Sequence, residues 1–342
     1  MHQYVLRGSG TVLNERLIAD RVIRFLYNRP REEPGALLSA LASAWVTDQL
    51  AHWEFDRRLR DPVRTLRETI ARLGIDESEM LDQVESMRTL RELFERRIRY
   101  WRVRPLPSDE AAIVSSADGK ALPFATEGEA SLPVKARFLS VPAILGPANP
   151  WARWPDLALS GVIVRLTPEV YHYTHAPVAG RIQRYQLIEG AFHSCNPHAL
   201  TTFTRSYEVN RRAVTVYDTD VPGGSGVGLV VQVDVAAMMI GQIVPAYSEI
   251  GYTNPRPLVE GEFVARGVPV SMFRPGSSTS IVIWQSARAA HAPELLRNAR
   301  RADLRSRFSD WLGSPWVETA LRVREAIAYP LSATTDRSGA MA

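Results

Sequence analysis

From residue 108 onward the chain is a series of short β-branched runs separated by Gly, Pro and Asn clusters. The runs are Ile113-Val114, Gly161-Val-Ile-Val-Arg165, Ala213-Val-Thr-Val216, Gly228-Leu-Val-Val-Gln-Val233, Gly261-Glu-Phe-Val-Ala265 and Ile281-Val-Ile-Trp284. Each is too short for a core helix and is rich in side chains that pack well on a pleated surface. This texture predicts a β-rich catalytic domain of barrel or sandwich type over 108–342. Residues 1–107 predict a helical region instead, making the fold class α+β. Leu13, Leu17, Ile18, Val22, Phe25 and Leu26 recur at helical spacing. Further helices are expected over about 37–60, 63–73 and 78–99, with Gly74 as a stop and Asp76 as an N-cap. Pro105 and Pro107 mark the boundary, and helical texture returns over 293–328.

Composition narrows the function classes. A net charge of +4, carried almost wholly by Arg, does not by itself point to nucleic acid. A single cysteine, Cys195, excludes an internal disulfide framework and suits a reducing, cytoplasmic setting. No secretory signal and no run of about 18 apolar residues is seen, so no transmembrane segment is expected. The arginines at 57, 58, 60, 64 and 67, and at 88, 91, 96, 97 and 99, fit two readings. They are a solvated helical face paired with Glu, or a layer lying peripherally against phospholipid headgroups.

One stretch stands out for chemistry: Ser271-Met-Phe-Arg-Pro-Gly276-Ser277-Ser278-Thr279-Ser-Ile-Val-Ile-Trp284. Gly276 tolerates backbone angles closed to other residues, and hydroxyls follow it at once. A strained peptide bond beside a serine hydroxyl is what an N→O acyl shift needs; the plain alternative is a Pro-Gly turn into a strand. Three other stretches compete with it: Ser115-Ser-Ala-Asp118-Gly119-Lys120, Tyr171-His172-Tyr-Thr-His175-Ala-Pro177 and His193-Ser-Cys195-Asn196-Pro197-His198. The histidines and Cys195 include good zinc donors, but their spacing matches no closed metal site, so no metal is expected. Val221-Pro-Gly-Gly-Ser-Gly-Val-Gly228 lacks the ending of a phosphate-binding loop and reads as a hairpin connection. The Gly-x-Ser-x-Gly elbow of hydrolases is absent. Asp118, His175 and a serine could form a triad, which geometry rather than order defines.

These stretches, in this order, resemble the phosphatidylserine decarboxylases, a pyruvoyl-dependent family, over most of residues 60–285. Thr89-Leu-Arg-Glu-Leu-Phe94, Arg96-Arg97 and Arg104-Pro105 look like the segment ahead of the family's first catalytic stretch. Asp118-Gly119 looks like its Ser-Pro-x-Asp-Gly motif, with Ser116 in place of Pro, and Tyr171–Pro177 looks like its Tyr-His-x-x-His-x-Pro motif. Phe192–Pro197 and Asn210-Arg-Arg-Ala-Val214 resemble two further segments, with Arg211 where the family has Glu. Gly276-Ser277-Ser278 resembles its cleavage motif.

The resemblance implies a self-cleaving proenzyme and the following roles. Asp118 orients His175, and His175 removes the proton from the serine hydroxyl. Attack on the preceding carbonyl and β-elimination then part the chain into a large and a small fragment. Loss of ammonia leaves a covalent pyruvoyl group, and His172 or His175 later reprotonates the carbanion. Two registers of the cleavage motif are open, one making Ser277 the pyruvoyl precursor and one making it Ser278; the Gly276-Ser277 bond is preferred. The substrate implied is phosphatidylserine. A free aromatic amino acid such as tryptophan is the alternative, and an uncleaved lipid-binding homologue is a second. Peripheral membrane contact and a homodimer are further implications.

Overall fold

The fold is taken from a computed structural model, which describes residues 1–17, 20–27, 41–43, 49, 52–127, 140–154, 156–238, 242–276 and 278–331. Sixteen strands lie among these residues. In chain order they are β1 (Gln3–Leu6), β2 (Val12–Asn14), β3 (Ile113–Val114), β4 (Gly119–Ala125), β5 (Leu159–Leu166), β6 (Tyr173–His175), β7 (Gly180–Ile188) and β8 (Arg212–Asp218). There follow β9 (Leu229–Ala236), β10 (Ile243–Pro245), β11 (Phe263–Val264), β12 (Pro269–Phe273), β13 (Ser278–Gln285), β14 (Ala289–His291), β15 (Glu318–Leu321) and β16 (Ala326–Pro330).

Ten strands form one sheet in the order β11-β7-β8-β9-β13-β5-β4-β15-β1-β2. The sheet is antiparallel except where β1 runs parallel to β15. Two small sheets, β10-β12-β6 and β14-β16-β3, complete the strands. Both faces of the large sheet are buried, which explains why its central strands read as unbroken apolar runs. Val282 and Trp284 of β13 join one core, with Phe273 of β12 and Ile327 of β16. Ile281 and Ile283 join the other, with Ile144, Leu200 and Phe308 from short helices. All four β13 residues are fully buried, each contributing about 1.5–3 kcal/mol of apolar transfer.

The α+β class holds, and small sheets cover one face of the main sheet as in a sandwich. The barrel expectation does not hold among the described residues: the ten-stranded order has free ends at β11 and β2. Nor is the beginning of the chain helical. Leu13 lies in β2, because pairing with β1 and onward to β15 overrides its local helical spacing. Helix begins only at Asp20–Leu26. Of the helix expected over 37–60, residues 37–40, 44–48, 50 and 51 fall outside the described residues, and 52–55 are helical. The helix Pro62–Leu73 does form, with the Asp61 side chain accepting the Arg64 N–H and Gly74 closing it at φ 71°. Asp76 caps a 3-10 turn at Glu77–Glu79 rather than a long helix. At the other end, Pro293–Ala299 and Arg307–Leu312 are helical, whereas 318–321 and 326–330 are strands.

The turn between β12 and β13 therefore precedes a strand wedged between β9 and β5. Residues beyond it also supply β15, between β4 and β1, and β16, beside β3. A backbone nick within 274–277 should leave both pieces in one particle on size-exclusion chromatography, parting only in denaturant. Separation in native buffer would contradict this topology.

Candidate active site

The stretches singled out in the sequence converge on one buried region. The start of β4 carries Gly119, directly after Asp118, and β6 carries His175, whose backbone N–H donates to the Ser116 carbonyl at 2.7 Å. Phe273 at the end of β12 donates its N–H to the His172 carbonyl at 2.9 Å. Four residues of the β12–β13 turn follow, ending at Ser277. Gly276 has φ 148°, a value that glycine adopts without a Cβ penalty. Ser277 lies outside the described residues. Ser278 opens β13, is paired with Leu166 on one side and Ala236 on the other, and has a buried hydroxyl without a hydrogen-bond partner among the described residues.

The two histidines differ in what they can do. The His175 Nδ1–H donates to the Gly267 carbonyl at 2.9 Å, since a carbonyl only accepts. That leaves Nε2 to accept the Tyr171 hydroxyl at 3.0 Å, and Tyr171 in turn contacts the Tyr252 hydroxyl at 2.8 Å. Burial lowers the His175 pKa to about 3. His172 donates from Nδ1 to the Val170 carbonyl at 2.8 Å, and its buried Nε2 has no partner among the described residues. Burial, and next the Arg96 charge, hold its pKa well below the usual value. His172 is therefore a neutral imidazole with a bare lone pair.

Asp118 does not bond to His175, which corrects the expected dyad. Its carboxylate accepts Arg104 Nε at 3.1 Å, Arg104 Nη2 at 2.8 Å and the Val323 N–H at 2.7 Å. Arg104 is also tied to Glu79. A bidentate guanidinium outcompetes a neutral imidazole for a buried carboxylate. The Gly267 carbonyl sets the His175 tautomer, and Asp118 acts on the ring only through its field.

One buried carboxylate was not singled out in the sequence, although most of its partners lie in stretches that were. Asp234 of β9 is buried and accepts hydroxyls from Thr174 at 2.8 Å, Ser271 at 2.6 Å and Ser280 at 2.6 Å, and the Gln232 amide at 3.1 Å. Ser116 reaches Ser280 at 2.7 Å. Burial raises the Asp234 pKa, opposed by these hydrogen bonds. Its signal was two polar residues, Gln232 and Asp234, inside an otherwise apolar strand.

A cavity of about 310 Å³ reaches Gly276. Its walls include Phe94, Arg96, Thr167, Cys195 and Asn196. Phe94 also lies against His172, with ring centroids 3.7 Å apart. A neighbouring ionic network holds the wall behind it: Arg165 bonds Glu15 at 2.6 Å and Glu318 at 2.8 Å, and His2 bonds Glu318 at 2.7 Å. His2, Glu15 and Glu318 come within 4.8 Å of one another, and Arg165 pairs with both carboxylates while Lys120 lies 3.7 Å from Glu15.

A largely apolar cavity ending at a positive-φ glycine, with a neutral imidazole behind its aromatic wall, is an enzyme site equipped for proton transfer. Comparison with known proteins places it. The sequence model of the family described as phosphatidylserine decarboxylase matches residues 90–302. A phosphatidylserine decarboxylase proenzyme of Halorhodospira halophila is 32% identical over 260 residues, covering 71% of this chain and 85% of the relative. One of Fusobacterium nucleatum subsp. nucleatum is 26% identical over 301 residues, covering 87% and 92%. One of Chlamydia trachomatis is 25% identical over 312 residues, covering 91% and 96%. The chain belongs to the phosphatidylserine decarboxylase family.

The depressed histidine pKa values predict a stability profile. An unfolded histidine takes up a proton near pH 6.5, whereas folded His175 does so only near 3 and His193 near 4. The unfolded state thus binds more protons between these limits, and stability falls as pH drops from about 6.5. The thermal midpoint should fall from pH 7 to 4, each such group steepening the slope by up to about 1.4 kcal/mol per pH unit. The slope should flatten in His175→Gln; an unchanged slope would contradict the burial of a neutral ring.

Proposed function

We propose that this chain decarboxylates phosphatidylserine to phosphatidylethanolamine. In this reading it matures by cutting itself between Gly276 and Ser277, so that Ser277 becomes a pyruvoyl group. The observation that carries the reading is the cavity that ends at Gly276. Gly276 φ supports a scissile bond there, and Ser278 is the weaker candidate because it is already locked into the sheet on both sides. The group fits the residues present: it derives from the chain itself, and the unpartnered His172 Nε2 supplies a proton-exchanging neighbour. Once formed, the pyruvoyl carbonyl supplies an electron sink for the pair released with CO2.

The chain's own residues divide the remaining work. His175 serves as base in maturation, its Nε2 being the ring nitrogen without a hydrogen, held by the Tyr171 hydroxyl. Asp118 and Arg104 hold the Asp-Gly turn that fixes the His175 backbone. His172 exchanges the proton at the reacting carbon, a role suited to a ring with one bare nitrogen.

A lipid substrate is favoured over a free amino acid by the surface around the cavity. Ile23 and Phe55 line the cavity, while their neighbours Val22, Phe25 and Trp53 are exposed, Phe25 by 72% and Trp53 by 65%. Arg16 and Arg72 line it as well. Exposed apolar side chains among arginines suit an anionic membrane surface. Among the described residues no helix is long and apolar enough to cross a membrane.

Two variants test the division of roles. His175→Gln should abolish formation of the two fragments on a denaturing gel. His172→Gln should still cleave yet lose about 10²–10⁴-fold in CO2 release from phosphatidylserine vesicles. Equal cleavage and equal CO2 release in both would overturn the assignment. Release from free tryptophan but not from phosphatidylserine would favour the other substrate.

A further inference from the structure

Arg96 follows the helix Leu90–Phe94 and is only 4% exposed. Its Nη1 donates to the Leu93 carbonyl at 3.2 Å and its Nη2 to the Glu169 carbonyl at 2.6 Å. Both acceptors are neutral. A guanidinium has five N–H donors, so three remain without a partner among the described residues. No ion pair joins Arg96 to a described carboxylate. The two arginines buried nearby differ: Arg104 has Glu79 and Asp118, and Arg165 has Glu15 and Glu318.

A buried arginine satisfied by carbonyls alone does occur here. Arg212 donates to the carbonyls of Ile144, Asn210 and Ala143 from all three nitrogens, and it is not part of the cavity wall. Arg96 has fewer acceptors and does line the cavity. An unpaired buried cation is costly, and the cost is recovered when an anion enters. Burial depresses the Arg96 pKa to about 10, opposed at longer range by the Asp118, Glu79 and Glu169 carboxylates.

We infer that Arg96 is an anion receptor in this cavity and that its ligand is the phosphodiester of the substrate headgroup. This rests on the decarboxylase reading above. The substrate offers two anions, and their fates separate them. The serine carboxylate gives up its charge as CO2 leaves, so a fixed cation on it would stabilise the ground state more than the transition state. The phosphodiester keeps its charge throughout, and holding it contributes binding and orientation without opposing the chemistry. Guanidinium geometry matches two phosphate oxygens. In phosphoserine headgroups the phosphorus is three bonds from the reacting Cα. Arg96 lies close enough to His172 to depress its pKa, and Phe94, two residues earlier, lies against that ring at a tilt of 35°. A phosphate on Arg96 thus brings Cα toward His172.

The test uses the purified full-length chain and two probes that carry no amine. Glycerophosphoglycerol supplies a phosphodiester, and 3-hydroxypropionate supplies a carboxylate. Calorimetry should detect glycerophosphoglycerol binding to the unmodified chain. The dissociation constant should rise at least tenfold in Arg96→Gln and less in Arg96→Lys, which keeps the charge and can still donate to the Leu93 and Glu169 carbonyls. Binding of 3-hydroxypropionate should not change. For phosphatidylserine turnover, Arg96→Lys should raise KM with kcat nearly unchanged. No glycerophosphoglycerol binding by the unmodified chain, or equal binding in all three proteins, would overturn the inference, as would Arg96-dependent binding of the carboxylate probe alone. The binding arm needs no catalysis: an inactive chain that binds the phosphodiester through Arg96 would sink the decarboxylase reading and leave the receptor standing.

Discussion

Asp234, a buried carboxylate with no cation partner among the described residues, sets the arrangement of the site. Such a group persists in an interior only if hydrogen bonds replace its lost water. Three hydroxyls and an amide do so here, and they come from separate stretches: Thr174 from the histidine motif, Ser271 and Ser280 from either side of the Gly276 turn, and Gln232 from its own strand. Ser116, next to the Asp-Gly turn, joins through Ser280. Moving any one stretch would leave a buried polar group unpaired, at about 1–3 kcal/mol each. The collar therefore fixes the turn relative to both histidines without touching substrate space.

The same economy explains why a cut next to β13 is tolerable. β13 is held by two full-length ladders and by buried side chains on both faces. The contacts that stabilise it do not depend on covalent continuity at the turn. Electrostatics are arranged in parallel. Arg104 and Arg165 are fully compensated, the histidines are kept neutral by burial, and Arg96, buried like those two arginines, has no ion pair with a described carboxylate. The uncompensated charge stands where a ligand can reach it.

Much of this was legible in the sequence where the signal is local. The β-branched runs at 161–165, 213–216 and 281–284 lie in strands, Gly74 stops its helix and Asp76 caps a turn. The order of motifs identified the family. What was not legible depends on distant pairing. Gln3–Leu6 is a strand because Glu318–Leu321 lies beside it, more than three hundred residues away in the chain. Local periodicity at Leu13 and Leu17 could not reveal that. Likewise the motif order places Asp118 and His175 in one site but cannot say that Arg104 takes the carboxylate. Asp234 was readable only as a polar residue out of place in an apolar strand.

The central claim is that a serine after Gly276 becomes the reactive group of this chain. Intact-mass spectrometry of the purified protein under denaturing conditions reads it directly. The account predicts two species, residues 1–276 and a fragment of 277–342 whose first residue is a pyruvoyl group in place of serine. A single uncleaved chain in a preparation that decarboxylates phosphatidylserine would contradict it, and so would a small fragment that begins with an ordinary serine amine.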